Sequence, residues 1–111
     1  MAYRRELLKG SMETMLLSLL KQEPMYGYQI IKETDKRSRG YFKFKEGTLY
    51  PALHRLEHEG LISGVWRRLT TGQERRYYYI TQKGLSLLDE EVTEWQSFSA
   101  AMTLVIHPVL P

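Results

Sequence analysis

Two arginine pairs, Arg67-Arg68 and Arg75-Arg76, flank a turn at Thr70-Thr71-Gly72. Four cations this close repel one another unless an anion lies between them, and a nucleic-acid backbone supplies such anions. The plainer alternative is an edge hairpin charged to block aggregation. What stands before the hairpin favours phosphate contact. Residues 46–60 read EGTLYPALHRLEHEG. At helical spacing, Leu49, Ala52, Leu53 and Leu56 share one face. Thr48, Pro51, Arg55 and His58 lie opposite, with Tyr50 and His54 on the flanks. That outward set is short, polar and aromatic. It suits contact with base edges and phosphates better than an ordinary Glu/Lys solvent face does. A helix followed at once by a basic hairpin is how a winged helix-turn-helix grips duplex DNA.

Other chemistries find less support. His54, Glu57 and His58 match the H-x-x-E-H pattern of some zinc proteases. A third ligand and a sizeable substrate cleft are also needed, and 111 residues leave little room for them. There is no cysteine, hence no disulfide framework and no thiolate metal site. No glycine-rich phosphate loop and no Ser/His/Asp arrangement can be picked out. The expectation is a protein that is not an enzyme and has no catalytic residue, metal site or cofactor.

The elements that must carry these groups follow from periodicity and punctuation. Leu8, Met12, Met15, Leu16, Leu19 and Leu20 predict a first helix, with Ser11 as its cap and Pro24 just past its end. A second helix is expected from Tyr26 to about Ser38, with Ile30 and Ile31 inward. Its end is basic, and Gly40 breaks it. Residues 41–45, YFKFK, suggest a short extended link. A third helix is expected from about Gly47 to Glu59, with Pro51 in or near its first turn and Gly60 as its stop. Strands follow at Leu61–Trp66 and Glu74–Ile80. Thr81 is placed to cap a long last helix. Along it Leu85, Leu88, Val92, Trp95, Ser99, Met102 and Ile106 step by three and four, an a/d seam sustained over three heptads. So long a seam exceeds what a small domain needs for its own core, which predicts a homodimer. The plainer alternative packs the whole stripe on the first helix. Pro108 ends the pattern, and His107 and the terminal PVLP carry no role.

Bulk properties agree with one soluble domain. Hydrophobic residues make up 42% and charged residues 26%, ordinary for a globular chain. The core such a chain can bury is small, so help from a second copy is reasonable. The net charge of +3 hides an asymmetry. All 16 Lys and Arg lie in residues 1–83, against nine acids, a balance of +7. Residues 84–111 hold four acids and no cation, a balance of −4. One part is suited to meet a polyanion and the other is not. No signal peptide or membrane span is expected, which places the protein in the cytoplasm, and membrane association through the acidic last helix fits poorly.

Taken in order, these segments resemble the PadR family of bacterial transcriptional regulators. Met25-Tyr26-Gly27-Tyr28-Gln29-Ile30 is similar to the family's GYxI segment, and residues 47–57, GTLYPALHRLE, to its recognition helix. Gly60-Leu61-Ile62 with Trp66, then Arg76-Tyr77-Tyr78-Tyr79-Ile80-Thr81 with Gly84, resemble its wing and the start of its last helix. The resemblance covers about residues 8–105 and points to the short subfamily. It implies a mostly α fold with a small β-hairpin: a winged helix-turn-helix over 1–81 and a C-terminal dimerisation helix over 82–107, in one compact unit. It also implies a homodimer that binds double-stranded DNA at an inverted repeat and usually represses.

On this footing the expected DNA interface is as follows. Thr48, Tyr50, Pro51 and His54 lie near bases or the adjoining backbone, with Lys45 and Gly47 beside them. Arg55, further along, meets phosphate. Tyr26, Tyr28 and Gln29 hold phosphates at the start of the second helix. Arg67, Arg68, Arg75 and Arg76 place the wing. The family resemblance further implies a response to small aromatic or hydrophobic effectors. Trp95 matches a tryptophan that stacks such compounds between two last helices, with Glu91 and Phe98 near it. The alternative function is a winged helix used only for protein–protein contact.

Overall fold

The computed structural model describes residues 2–107, with side chains from residue 10 onward. Its elements are α1 (Ala2–Gln22), β1 (Met25–Tyr26), α2 (Gly27–Arg37), α3 (Glu46–His58), β2 (Ile62–Arg68), β3 (Glu74–Ile80) and α4 (Gln82–Ile106). The expected mostly helical protein with a small β-hairpin is what is found. Among the described residues no helix is long and apolar enough to cross a membrane.

α1 is the central helix. Met12, Leu16, Leu19 and Leu20 are buried as their spacing predicts, and Met15 packs beside them. Leu17 lies off that stripe yet is also fully buried. Packing against α2, β3 and α4 together leaves α1 more than one apolar face to cover. Leu8 falls outside the described side chains. Ser11 is not a cap, because the helix already runs from Ala2. A single glycine at position 10 costs a helix only about 1 kcal/mol and does not stop it.

The wing has a third strand that periodicity missed. The sheet order is β1-β3-β2, antiparallel throughout. Met25 and Tyr26, expected to open the second helix, pair instead with Tyr78 and Tyr77. Two residues are too few to show a strand's alternation. β2 also runs to Arg68, so the first arginine pair sits inside the ladder. The pleat then divides the hairpin. One face carries Ile62, Gly64, Trp66 and Arg68 opposite Ile80, Tyr78, Arg76 and Glu74. Its base belongs to the core through Ile62 and Tyr78. The other face carries Ser63, Val65 and Arg67 opposite Tyr79, Tyr77 and Arg75.

α3 begins one residue before expectation and buries Leu49, Ala52, Leu53 and Leu56, the predicted inner face. Pro51 is its sixth residue, later than the first turn. Its missing N–H leaves the Gly47 carbonyl without the usual helical donor. Gly60 stops the chain with φ 76°, a left-handed conformation that favours glycine. α4 starts as predicted: the Thr81 hydroxyl accepts from the Gly84 N–H at 3.1 Å. Gly84 has no room for a side chain, since a Cβ there would press on the Leu61 carbonyl. That contact seats α4 against the end of the turn after α3.

Candidate nucleic-acid interface and the exposed face of α4

The exposed side of α3 presents Gly47, Thr48, Pro51, His54 and His58, with Lys45 exposed at its N-cap. Tyr28 and Gln29 lie in the first turn of α2. Tyr28 is exposed, with the Lys32 ammonium 5.5 Å from its ring centre. One cleft of about 400 Å³ joins the parts of this region. Tyr26, Tyr50, His54, Trp66 and Arg75 line it, so it brings together the start of α2, the exposed side of α3 and the wing.

Two of the expected residues are half-buried. Tyr50 is half-buried, and its ring passes so close to Gly27 that any Cβ there would collide with it. It serves the junction of α3 and α2 before it can serve a base. Arg55 is also half-buried, and its charge lowers the pKa of Glu13 on α1.

The four wing arginines are not equivalent. On the outer face, the Arg75 guanidinium stacks 4.3 Å from the Tyr26 ring centre and Arg67 stacks 4.5 Å from that of Tyr77. Tyr26 and Tyr77 meet edge to face at 5.4 Å. Arg67 and Arg75 are cross-strand partners, a repulsive pairing that stacking on different tyrosines eases. Arg68 stands opposite Glu74. Arg76 differs from the expectation of a free cation. Its Nη2 donates to Glu57 Oε2 at 2.5 Å, and both side chains are about 30% exposed, at 31% and 29%. The same carboxylate oxygen accepts from the Gly64 N–H at 3.2 Å. Glu57 is the glutamate of the zinc-protease pattern, and here its carboxylate is an ion-pair partner of the wing. No group of residues suited to hold a metal occurs among the described residues.

Burial pushes the Tyr78 hydroxyl above its ordinary pKa, and the Arg76 charge beside it pulls the other way. Tyr78 therefore stays a neutral phenol at the base of the wing.

α4 divides in the middle. Leu88 is 2% exposed within the chain's own core, and Leu87 and Val92 pack against that core. Leu85 is half-buried. Beyond Val92 the apolar residues face solvent: Trp95 and Phe98 are each 50% exposed, Met102 and Ile106 each 44%, and Leu104 76%. Ser99 alone of that stretch's seam is half-buried. The proximal half of the seam thus packs within the chain, which is the plainer alternative raised for the whole stripe.

Where α4 leaves the body it forms one wall of an open groove of about 1340 Å³. Met15, Phe42, Trp95 and Phe98 supply apolar walls, and five carboxylates, Glu91 and Glu94 among them, supply the charge. Trp95 and Phe98 stack at 6.0 Å with 27° between their planes. Thr14 of α1 donates its hydroxyl hydrogen to Glu91. Glu13 has its pKa raised, first by burial, then by Glu91 and Glu59, while Arg55 lowers it. Phe42 and Thr14 were not anticipated here. Phe42 left a trace in the YFKFK alternation, whereas Thr14 left none.

A family model described as the transcriptional regulator PadR-like family matches residues 16–90. An uncharacterised protein of Lysinibacillus sphaericus is 35% identical over 104 residues, spanning 94% of this chain and 95% of its own. The crystal structure of a PadR-like transcriptional regulator from Bacillus cereus is 34% identical, with TM-score 0.81 over 91% of this chain and 96% of that one. A transcriptional regulator from Clostridium thermocellum is 31% identical, with TM-score 0.78 over 96% of this chain and 99% of the other.

Proposed function

This chain belongs to the PadR-like family of transcriptional regulators, not of enzymes, and we propose that it is a homodimeric repressor that binds an inverted-repeat operator. The observation that carries this reading is the cleft shared by Tyr26, His54 and Arg75. It links a helix start, an exposed helix face and a cationic wing, the three parts that hold phosphate and read base edges in a winged helix-turn-helix. The exposed end of α3 enters the major groove, with Thr48, Pro51 and His54 foremost. Arg67 and Arg75 lie along the backbone, their guanidinium groups already oriented by tyrosine rings. The distal half of α4 packs on a second copy, which sets two recognition helices about 34–36 Å apart, one turn of DNA.

The same reading includes an effector. A flat aromatic cation fits the groove, where Trp95 and Phe98 offer ring faces and Glu91 and Glu94 offer charge. Because Trp66 also fluoresces, ligand titration belongs in a Trp66→Phe background, where quenching reports Trp95 alone.

The deciding experiment is a salt-titrated anisotropy assay on DNA immediately upstream of this protein's gene. The expected result is competitor-resistant binding that saturates at two chains per site and weakens steeply with salt. Arg75→Ala should lower the salt slope by about one phosphate contact. Absence of DNA binding at low salt, alongside a stable protein complex, favours the protein-contact alternative.

A further inference from the structure

Arg76 is adjacent to Arg75 in sequence and opposite to it in the pleat. We infer that Arg76 is a positioning residue: with Glu57 and Gly64 it forms a strut that sets the angle between the wing and the recognition helix. The inference rests on the DNA-binding reading for its consequence, though not for its geometry.

Four features converge on the strut. The Arg76 guanidinium crosses from β3 to Glu57 in the last turn of α3. Glu57 then ties back to the wing a second time, through the Gly64 N–H on β2. One carboxylate oxygen therefore joins α3 to both wing strands. Gly64 makes the crossing possible: a Cβ there would stand 2.5 Å from Arg76 Nε and 2.6 Å from its Cζ. Trp66 and Tyr78 flank the guanidinium, with ring centres 5.8 and 5.9 Å away. An arginine suits this place because its planar fork can bridge to a carboxylate while stacking on rings. A lysine offers only a point charge.

The strut has a mechanical purpose. The hairpin is anchored at its base, by Ile62 and Tyr78 in the core and by the pairing of β1 with Tyr77 and Tyr78. Toward the turn the β2–β3 ladder and the stacking of Arg75 on Tyr26 hold its outer face, and neither ties it to α3. Phosphate contacts at the wing and base contacts on α3 must be met at once. A small change in wing angle would break one set while leaving the other intact. The link at Glu57 removes that freedom.

The test separates positioning from phosphate contact. The chain has no cysteine, so cysteines placed at Thr71 and His58 take spin labels without background. In dimers diluted with excess unlabelled chain, the unaltered strut should give one narrow distance between wing tip and α3. Glu57→Gln and Arg76→Ala should each broaden it, with no DNA present. On the upstream DNA, the same two variants should each lose about tenfold in affinity. Their salt slopes should stay parallel to that of the unaltered protein, and the double variant should be no worse than either single one. A narrow distance in both variants overturns the strut. So does an Arg76→Ala protein whose salt slope falls like that of Arg75→Ala while Glu57→Gln binds normally. If the unaltered protein binds no DNA, the functional reading fails, and the distance measurement still decides the strut.

Discussion

The two halves of α4 carry the same apolar spacing and meet opposite surroundings. From Gln82 to Val92 the helix is part of the winged body. Gly84 closes on Leu61, Leu88 is sealed, and Thr81 caps the first turn. From Trp95 to Ile106 it projects with large apolar residues in water. The molecule measures 57 Å along one axis and 28 and 25 Å across. A periodic stripe therefore states that a face will be covered, without stating by whom. The proximal half is satisfied by its own chain. The distal half is the one whose burial should depend on protein concentration.

Cutting the proximal half should have the largest effect. Leu88→Ala is expected to cost about 2–5 kcal/mol of folding stability, because it opens a cavity in a sealed core. Chemical denaturation would show it at any protein concentration. Next comes the distal half. Met102→Glu should leave the far-ultraviolet circular dichroism spectrum unchanged but weaken dimerisation at least tenfold, or about 1.4 kcal/mol. Sedimentation equilibrium measures this. A dimer indifferent to Met102→Glu would move the interface elsewhere and undo the contrast between the halves.

The start of the helix should matter less. Thr81→Ala removes the acceptor for the Gly84 N–H and is expected to cost about 1 kcal/mol. The loss should appear in thermal unfolding and be independent of protein concentration, since the cap lies in the body.

The smallest effect lies at the junction of the halves. Glu13 holds its proton more tightly in the folded state than in the unfolded chain, owing first to burial and then to Glu91 and Glu59. The folded form therefore binds more protons between the ordinary value of 4.5 and the raised one. The group's favourable contribution is complete below pH 4.5 and is lost as pH rises through the folded pKa. Glu13→Gln should flatten that part of the stability profile and modestly stabilise the protein at neutral pH. An unchanged profile would assign the slope to other carboxyls.

The inner face of α3 could be anticipated residue by residue. Leu49, Ala52, Leu53 and Leu56 repeat at helical spacing, and their burial follows from that alone. The hairpin was visible for a similar reason: aromatic residues and a Thr-Thr-Gly turn mark it locally. β1 was not visible, because Met25 and Tyr26 become a strand only when β3 lies beside them. The inward turn of Tyr50 was hidden as well, since Gly27 admits its ring from another helix.

The clearest division falls between Arg75 and Arg76. Local spacing identifies both as cations on a strand after a turn, and alternation places them on opposite faces. Nothing along the chain says which of the two faces turns toward Glu57. That choice is made when α3 packs beneath the wing, bringing together residues nineteen positions apart. Periodicity is a property of the backbone and is written locally. The partner of a charge or of an apolar stripe is a property of what packs against it, and only the folded chain supplies that.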